Sequence, residues 1–431
     1  MDRAAIVVAD KEHVWHPYTP MDAYIEHGDP LVVARAAGVR LYDANGRAYL
    51  DGNSSWWVAA LGHGHPRLLA ALEKQAHVLA HCSLAGTTHE QAARLAGELC
   101  KVAPPGLTRV FYTDNGSTAV EVAVKMAVQM WRQLGAPKKT RFVALDGAYH
   151  GDSIGASSLG GIELFRRPFA GVLFECAHAP FPAPDAYART FEAITTLLER
   201  DKDEIAAVVV EPIVQGVAGM RTYAPEYLRE LRALCDRTNV LLVVDEVFAG
   251  YGRTGRMWGV DHAGVTPDIM CIGKVFSSLF PMAATLTTDR VFDAFRGEKD
   301  RALAYGHTFC GNPLGAAVAR EVLAIYEDEA LVARAARLAP RITAAMEKLA
   351  ELPGVARVRS LGMIGAADLG DASGYLGGAG WRVYEEALRR GAYLRPLGDT
   401  VYVCPPLVIS EADLDELLGI LHESVRFALS R

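Results

Sequence analysis

Residues 240–246 read VLLVVDE, and this stretch decides the fold class. An unbroken run of five apolar residues, most of them β-branched, is typical of a strand buried on both faces in the middle of a parallel sheet. Two carboxylates, Asp245 and Glu246, follow where that strand should end. Ligands of open α/β sheets bind beyond the carboxyl ends of the strands, so we expect Asp245 to lie where chemistry takes place.

A second apolar run, DIMCIG at residues 268–273, resembles the first and delivers Lys274 at its own end. An acid and an amine on two strand ends indicate pyridoxal phosphate, because its aldehyde forms a Schiff base with lysine and its ring nitrogen binds an acidic partner. A carboxylate at that nitrogen keeps it protonated, so that the ring accepts the electron pair released when a substrate C–H bond breaks. The structural alternative is that Asp245 and Lys274 are ordinary strand caps.

The composition limits the classes of partner. The 431 residues exceed the usual size of a single hydrophobic core, so we expect two or more domains. The net charge is -7 and no dense stripe of lysine or arginine occurs, which argues against nucleic-acid binding. Partners should be small molecules or other copies of the chain. The seven cysteines are odd in number and form no C-x-x-C pair, so we expect a reducing compartment without a disulfide framework or structural zinc.

Export signals, membrane spans and metal sites are not expected. The first eleven residues carry charges on both sides of a short apolar stretch, unlike a signal peptide. No uncharged apolar run approaches the roughly 18 residues of a membrane span, so the cytoplasm is predicted. His63 and His65 flank Gly64, but no third ligand stands near them, and roles in a turn or cap are favoured over metal binding.

A turn with the composition of an anion site follows the predicted strand at residues 109–113. Residues 114–118 read DNGST and lead into a helical pattern over residues 119–134. Free backbone N–H groups at a helix start attract anions, and the hydroxyl of Ser117 can add a hydrogen bond. No Gly-Lys-Ser/Thr sequence follows, so the turn is not a P-loop. An ordinary helix cap is the alternative.

Further candidates stand at the ends of other predicted strands. Tyr149 follows the strand at residues 141–145, and an aromatic residue between small ones can lie flat on a planar ring. The apolar run at residues 205–210 ends at the carboxylate Glu211. Residues 250–255 read GYGRTG, a literal G-x-G-x-x-G, but no helix pattern follows directly. We therefore predict a loop there and not a nicotinamide or flavin site.

The N-terminal region combines an arm, a hairpin and an aromatic pair. Residues 13–24 contain two prolines, which predict an ordered arm without regular helix. Residues 39–52 predict a hairpin with an Asn-Gly turn. Trp56 and Trp57 are adjacent, so on a strand only one of them would face a given core, and either packing or a pocket wall explains them. Arg395, near a predicted strand, suits a carboxylate ligand or is a surface residue.

The pattern of elements predicts three segments along the chain. Residues 1–60 form an N-terminal arm and a segment of the small domain, residues 61–326 form the large cofactor-binding domain, and residues 327–431 form the C-terminal small domain. Helical spacing covers residues 67–80, 90–102, 314–327, 329–352 and 411–429.

Five elements in register resemble the class III, fold-type I pyridoxal-phosphate aminotransferases over nearly the full length. They are NGS at residues 115–117, YHG at residues 149–151, DEV at residues 245–247, GRTG at residues 252–255 and GK at residues 273–274. The resemblance implies an α/β fold with a mainly parallel central sheet sandwiched by helices, and a smaller α+β domain. It also implies pyridoxal 5'-phosphate as the cofactor and an aminotransferase activity.

The resemblance assigns a role to each matching residue. Lys274 binds the cofactor and moves the proton between the substrate carbon and the cofactor carbon, while Asp245 pairs with the pyridine nitrogen. Tyr149 covers the ring face. Gly116 and Ser117 hold the phosphate. Thr308 is expected to reach the phosphate of the other subunit, so the active unit would be a homodimer with shared sites.

Two narrower motifs resemble the biotin-pathway members of that class. They are HPYT at residues 16–19 and SSWW at residues 54–57. They imply 8-amino-7-oxononanoate as the substrate, with Tyr18, Trp56 and Trp57 around its apolar chain and Tyr18 among the catalytic residues. Gly306 is implied as a further substrate contact, and Arg395 as the residue that grips the carboxylate. The amino donor is S-adenosylmethionine in most such enzymes and lysine in some, and the sequence leaves both open.

One departure from the class and two rival functions remain. Residues 275–281 read VFSSLFP, where the class usually has Thr-Gly-Gly, so the donor pocket is expected to differ. The first rival is an aminotransferase for ω-amino acids or other diamines. The second is a relative of the same fold that binds a ligand without turnover.

Overall fold

The central strand that the sequence predicts is present as Leu241–Asp245 in the computed structural model, which describes residues 2–26, 28–370 and 374–430. All five of its residues are buried. The strand Ile269–Ile272 pairs with it in parallel, with Val243 opposite Ile269 and Asp245 opposite Cys271. Asp245 and Lys274 therefore lie at the same edge of the sheet, as the sequence analysis expected.

The strands are numbered in chain order. They are β1 Val33–Ala37, β2 Arg40–Asp43, β3 Ala48–Asp51, β4 Leu107–Thr113, β5 Arg141–Leu145, β6 Cys176–Ala179, β7 Ile205–Val210, β8 Val214–Gln215, β9 Arg221–Thr222, β10 Leu241–Asp245, β11 Ile269–Ile272, β12 Ala283–Thr288, β13 Val355–Leu361, β14 Ile364–Leu369, β15 Ala392–Tyr393 and β16 Thr400–Val403.

The large sheet has the strand order β4-β12-β11-β10-β7-β5-β6. Strand β12 runs antiparallel to both of its neighbours, and the other pairs are parallel. Leu242 and Val244 of β10 belong to the core on one face, whereas Leu241 and Val243 belong to the core on the other face. A strand buried on both faces is what an uninterrupted apolar run encodes. The α/β fold with a mainly parallel sheet is confirmed.

Helices cover both faces of this sheet and most of the remaining chain. The helices are Arg3–His13, Met21–Glu26, Pro66–Val78, Glu90–Val102, Gly116–Gln133, Ile154–Leu159, Glu163–Arg166, Tyr187–Asp201, Pro225–Thr238, Asp289–Asp293, Pro313–Asp328, Leu331–Ala350, Ala379–Arg390 and Glu411–Leu429. Short 3-10 turns occur at Arg167–Val172, Gly259–His262, Lys274–Phe276, Lys299–Arg301 and Gly374–Leu376. None of the helices in the described ranges is long and apolar enough to cross a membrane.

The expectation of an arm without regular helix was wrong in part. The helix Met21–Glu26 begins directly after Pro20. A proline interrupts a helix that precedes it but does not prevent one from starting after it, because the first turn needs no N–H partner. Residues 14–20 do form an extended or turning segment.

Two smaller sheets lie outside the large one. One joins β1, β2, β3 and β15, and the other joins β13, β14 and β16. The predicted hairpin is confirmed by the antiparallel pairing of β2 with β3. Strand β15 pairs in parallel with β3, so the N-terminal segment and the C-terminal region share a sheet. The domain limits at residues 60 and 326 stay a prediction.

The segment Ser54–Trp57 has an unusual backbone. Its four residues have φ values of 49°, 45°, 63° and 73°, all in the left-handed region. Left-handed conformations cost non-glycine residues about 1–2 kcal/mol each, so neighbouring contacts must hold the turn. Ser54 Oγ donates to the Cys404 carbonyl (2.7 Å), and Ser55 Oγ donates to Asp51 Oδ2 (2.9 Å). The two tryptophans thus lie on a turn and not on a strand.

Candidate active site

The floor of the candidate site consists of Lys274, Asp245 and His150. Lys274 follows β11 through Gly273 and has a φ of 50°. Its Nζ lies 5.1 Å from the centroid of the Trp57 indole. Burial lowers the pKa of Lys274, against the attraction of the Asp245 and Glu211 carboxylates. A lowered pKa favours the neutral amine, which is the form that attacks a carbonyl or accepts a proton.

The Asp245 carboxylate is oriented from two sides. His150 Nδ1 lies 2.8 Å from Asp245 Oδ2, and the N–H of Val247 donates to Asp245 Oδ1 (3.0 Å). Burial alone would lower the pKa of His150, but the hydrogen bond and charge of Asp245, with a contribution from Glu211, raise it overall. A protonated His150 would in turn stabilise the charge on Asp245. The strand end therefore carries a hydrogen-bonded carboxylate that faces a histidine with a raised pKa.

Two further buried carboxylates stand beside the floor. Glu211 Oε1 accepts the N–H of Tyr149 (3.0 Å), and Glu211 Oε2 accepts the N–H of Gly216 (2.9 Å). Burial raises the pKa of Glu211 to about 7. Glu246 accepts the N–H groups of two residues in the turn that follows Trp258, and burial raises its pKa to about 8. Glu211 holds the backbone of Tyr149, whereas Glu246 holds a structural turn.

The predicted anion turn is a capped helix start. Asn115 and Thr118 form a reciprocal capping box before the helix Gly116–Gln133. The described residues offer no hydrogen-bond partner to the N–H groups of Gly116 and Ser117, which are the first two of that helix. A methyl group on Gly273 would come within 3.4 Å of the Gly116 Cα. The turn therefore abuts the residue before Lys274, within reach of a ligand bound to that lysine.

The turn after Lys274 keeps a glycine-like backbone despite its sequence. Ser278 has a φ of 40°, a region that favours glycine. Its Oγ donates to the Val275 carbonyl (2.9 Å), which supports the strained conformation. Leu279 is partly exposed, at 39% of its surface. The departure from Thr-Gly-Gly thus adds side-chain bulk near Lys274. The added leucine, Leu279, remains partly exposed.

A cavity of about 390 Å³ opens above the floor. Its lining residues are largely aromatic and apolar: Pro17, Tyr18, Trp56, Trp57, Val58, Tyr149, Asp152, Phe165, Val217, Lys274, Tyr375 and Leu397. We use the name mouth for the outer lining residues Tyr18, Trp56, Phe165 and Tyr375 together with Arg395, which does not line the cavity but lies over the Trp56 ring. The Phe165 ring lies 5.3 Å from that of Tyr18 and 5.0 Å from that of Tyr375. Trp57 is buried, and its Nε1 donates to the Tyr402 hydroxyl (3.2 Å).

Two phenols share one carboxylate at the mouth. The hydroxyls of Tyr18 and Tyr149 both donate to Asp152 Oδ2, the latter at 2.6 Å. Burial, followed by the hydrogen bond to Asp152, raises the pKa of both tyrosines well above the ordinary value. Both therefore remain protonated donors at neutral pH. The predicted ring-covering residue Tyr149 and the arm residue Tyr18 are thus brought together.

Arg395 is a cation without an acidic partner. Its Cζ lies over the Trp56 ring, 5.1 Å from the centroid, and over the Trp381 ring, 5.6 Å from the centroid. No carboxylate of a described residue forms an ion pair with it. The N–H of Arg395 donates to Asn53 Oδ1 (2.6 Å), which ties it to the residue before the left-handed turn. Arginine without a carboxylate partner in an aromatic setting is suited to bind an anionic group.

Two predicted residues lie outside this cavity in the single chain. Gly306 and Thr308 are exposed, in a segment without helix or strand. The neighbouring His307 has its Nε2 3.9 Å from Asp114 Oδ1 at the anion turn. His63, one of the paired histidines, binds Asp51 instead, with Nε2 2.8 Å from Oδ2. In the described ranges, no group of three or more His, Cys, Asp and Glu side chains is arranged to hold a metal ion.

Volume alone does not identify the site. A larger groove of about 1270 Å³ lies between the helices Pro66–Val78, Glu90–Val102 and Pro313–Asp328. Its charged residues are mostly neutralised by each other, as in the pairs of Arg320 with Glu98 and Arg67 with Glu321. Lys274 does not line this groove. The smaller cavity is the one with a buried amine and a buried acid.

Several site residues were missed by sequence reasoning. The motif that contains His150 assigned it no role, and Glu211 was a strand-end candidate without an assigned role. Phe165, Tyr375 and Trp381 have no signal in the sequence, because each stands in a short irregular or amphipathic segment far along the chain. Asp152 was likewise passed over beside Tyr149.

Comparisons with known proteins agree with this geometry. The family model of the class-III aminotransferases matches residues 24–425. The chain is 40% identical over 438 residues to the adenosylmethionine-8-amino-7-oxononanoate aminotransferase of Geobacter sulfurreducens, covering 96% of each. It superposes on the solved structure of the protein of that name from Methanocaldococcus jannaschii with a TM-score of 0.95, at 35% identity over 99% of each chain.

A second solved structure bears on the cofactor. The omega transaminase of Pseudomonas jessenii in complex with PMP superposes with a TM-score of 0.91, at 30% identity over 99% of this chain and 97% of that one. Class-III aminotransferases depend on pyridoxal phosphate. The described residues fit that group, because they offer a buried amine, a buried acid and two N–H groups at a helix start. At the floor of the cavity, Nε2 of His150 is a buried polar atom without a partner among the described residues.

Proposed function

The chain belongs to the class-III aminotransferases, and from this premise we propose that it converts 8-amino-7-oxononanoate to 7,8-diaminononanoate in biotin biosynthesis, with S-adenosylmethionine as the amino donor. The named relatives support the reaction and the donor. Cytoplasmic action belongs to the same proposal and is supported by the seven cysteines, which are all free thiols.

One observation carries the proposal. A buried amine stands at the floor of an aromatic cavity, and the mouth of the same cavity holds a guanidinium that no described carboxylate neutralises. A substrate that fits must offer a carbonyl to the floor, an apolar chain to the aromatic walls and an anion to Arg395. An oxo acid with a hydrocarbon chain between its two functional ends has these three parts.

The cofactor would be held by residues at the floor. Lys274 would bind it covalently, Asp245 would pair with its ring nitrogen, and Gly116 and Ser117 would hold its phosphate. When bound, pyridoxal phosphate supplies an electron sink for the substrate C–H bond and carries the amino group between two half-reactions. The hydrogen bond between His150 and Asp245 holds this carboxyl group in place, and Glu211 fixes the backbone of Tyr149 beside it.

Lys274 has a second role, in which its amine carries the proton. Its lowered pKa increases the share of the neutral amine, so Nζ can take a proton from the substrate carbon. The same atom then returns the proton to the adjacent carbon. Trp57 lies 5.1 Å from Nζ and is itself buried, so it limits the access of water to this amine.

The mouth orients the oxo acid. Tyr18, Trp56 and Trp57 surround its apolar chain, and Arg395 binds its carboxylate, with Gly306 as a further contact. Tyr18 is held by Asp152 and presents its ring to the cavity. Because donor and acceptor use one site in turn, the kinetics should be ping-pong, with parallel lines in double-reciprocal plots.

A homodimer completes the proposal. Gly306 and Thr308 are exposed in the single chain, and so are Trp15 of the arm and Phe309. Thr308 is assigned to the phosphate of the other subunit. The test mixes two inactive chains, Lys274→Ala and Thr308→Ala. Restored activity in the mixed dimer supports shared sites, and a monomer by light scattering would contradict them.

The decisive assay supplies the purified holoenzyme with 8-amino-7-oxononanoate and one donor at a time, and detects the diamine by mass spectrometry. Diamine from S-adenosylmethionine supports the full proposal, and diamine from lysine alone replaces only the donor. No diamine from either donor would contradict the biotin-pathway function.

A second candidate is an omega transaminase that acts on ω-amino acids or diamines. The superposition on the enzyme of Pseudomonas jessenii favours it. The same assay decides, with pyruvate or 2-oxoglutarate as the acceptor. Turnover of these acceptors that exceeds turnover of the oxononanoate would favour this alternative.

A further inference from the structure

Trp381 lies at the edge of the mouth, on the helix Ala379–Arg390, and none of the sequence motifs drew attention to it. Its ring centroid is 5.6 Å from the Arg395 Cζ, close to the 5.1 Å that separates this atom from the Trp56 ring. We propose that Trp381 is a specificity-determining residue: with Trp56 it positions the Arg395 guanidinium to receive the carboxylate of the oxo-acid substrate. The inference rests on the proposed function in one respect: the proposed substrate supplies the carboxylate that Arg395 binds.

Trp381 is held in place by other aromatic residues, although 42% of its surface is exposed. Its ring packs edge-on against Tyr384 at 5.4 Å, and Tyr384 packs against Tyr393 at 5.7 Å. Tyr393 precedes Arg395 by two residues. The N–H of Ala379 at the start of the helix donates to Asp399 Oδ1 (2.9 Å). The indole is therefore fixed relative to the segment that carries Arg395.

The guanidinium contacts these two rings and the Tyr375 hydroxyl, and no carboxylate of a described residue holds it. Many arginines of this protein are fixed by carboxylates, as Arg359 is by Asp368 (2.8 Å). Arg395 has no such ion pair with a described residue. Ring faces attract a cation and restrict its plane while leaving the N–H edge free for a two-pronged bond to a carboxylate. A neighbouring acid would fix the side chain equally well but would repel the substrate.

Removal of the indole should weaken carboxylate binding and little else. A cation–π contact of this kind is worth about 0.5–2 kcal/mol, which corresponds to roughly a 2- to 30-fold loss of affinity. The loss should fall on the acidic end of the ligand only, because Trp381 is not among the residues that line the cavity and contacts Arg395 instead.

The test measures binding of nonanoate to the holoenzyme by calorimetry, with 1-nonanol as the neutral ligand of equal length. In Trp381→Leu, we expect nonanoate to bind about fivefold to tenfold more weakly, with 1-nonanol unchanged. Trp381→Phe keeps a ring face and should stay within about twofold of the natural protein. The control Leu376→Ala changes an apolar side chain that is 80% exposed, and it should change the binding of neither ligand.

Each other outcome has a definite meaning. Equal nonanoate binding in Trp381→Leu and the natural protein would overturn the proposal, and so would equal losses in the Leu and Phe variants. A parallel loss of 1-nonanol binding would show a general packing defect and would also overturn it. With 8-amino-7-oxononanoate, the KM should rise by the same factor as the nonanoate Kd while kcat stays within about twofold.

The result separates this inference from the proposed function. If the natural protein fails to convert the oxononanoate but its nonanoate affinity depends on Trp381, the positioning role stands and the function fails. If the conversion occurs and Trp381→Leu binds nonanoate normally, the function stands and the positioning role fails.

Discussion

The floor of the cavity contains Asp245, the last residue of β10, and Lys274, two residues after the end of β11, and all residues of these two adjacent strands are buried. The mouth contains Tyr18, Trp56 and Arg395, which come from three separate irregular segments and are partly exposed. Backbone hydrogen bonds of the sheet position the floor, whereas side-chain packing between loops positions the mouth. The difference shows that reaction chemistry and substrate choice are supported by separate parts of the molecule, so they should respond separately to mutation.

The largest effect should follow from removing the amine at the floor. Lys274→Ala should reduce turnover by about 10⁴-fold, because both the covalent anchor and the proton carrier are lost. Single-turnover kinetics and the visible absorbance of the cofactor measure the change. A small added amine should restore part of the rate. Turnover within tenfold of the natural enzyme would contradict the division between floor and mouth.

The acid at the floor should come next. Asp245→Asn should lower kcat by about 10²- to 10³-fold through the loss of a preorganised charge, with little change in KM. The matched control is Glu246→Gln at the next position. Its carboxyl has a pKa raised to about 8 and binds a structural turn, so kcat should be unchanged. Similar losses in both variants would mean that the strand end is sensitive to any change there.

A pH-dependent effect on stability would sharpen the comparison. Burial raises the pKa of Glu211 from 4.5 to about 7 in the folded protein. Between these values the folded state keeps a proton that the unfolded state releases, so the free energy of unfolding falls as the pH rises. The fall is about 3 kcal/mol in total, at about 1.4 kcal/mol per pH unit.

Glu211→Gln cannot titrate and should remove that slope. Urea unfolding of the apo protein at pH 5 and pH 7 measures it, and the midpoints of the variant should differ less between the two pH values than those of the natural protein. Equal slopes in both proteins would show that Glu211 is ionised throughout and that burial does not control its charge.

The smallest effect should arise at the mouth. Tyr18→Phe removes the hydroxyl that donates to Asp152. Loss of one hydrogen bond is worth about 1 kcal/mol, so the KM for the oxononanoate should rise about fivefold with a smaller change in kcat. Tyr24→Phe is the matched control, since its hydroxyl also donates to a carboxylate, Asp10, but outside the cavity. A hundredfold loss of kcat in Tyr18→Phe would show that this tyrosine takes part in the reaction chemistry, as the residues of the floor do.

The sequence predicts the floor well because strand ends are local features. A run of apolar residues followed by an acid or an amine identifies both the strand and the edge of the sheet at which its side chain stands. Two such runs in one chain were enough to place Asp245 near Lys274. The resemblance to a known family then supplied the roles of Gly116, Ser117 and Tyr149, and the structure brings these residues to the same edge.

The mouth was harder to predict because its geometry depends on tertiary contacts. The turn Ser54–Trp57 has no glycine, so no propensity rule indicates its left-handed backbone. Phe165, Tyr375 and Trp381 become neighbours of Tyr18 or Arg395 only when separate segments pack together. His150 was visible in a motif, but its bond to Asp245 spans 95 residues of sequence. Spacing along the chain carries no information on such a contact.

The turn Ser54–Trp57 has a consequence for enzyme engineering. Glycine at residue 55 would accept the left-handed backbone without steric cost. The variant should therefore unfold at a higher temperature if this relief of strain exceeds the loss of the hydrogen bond between Ser55 and Asp51. The same change would loosen the loop that carries Trp56, and with it one wall of the cavity, on which the choice of substrate is expected to depend. Thermal endurance and discrimination between substrates therefore oppose each other at this single position.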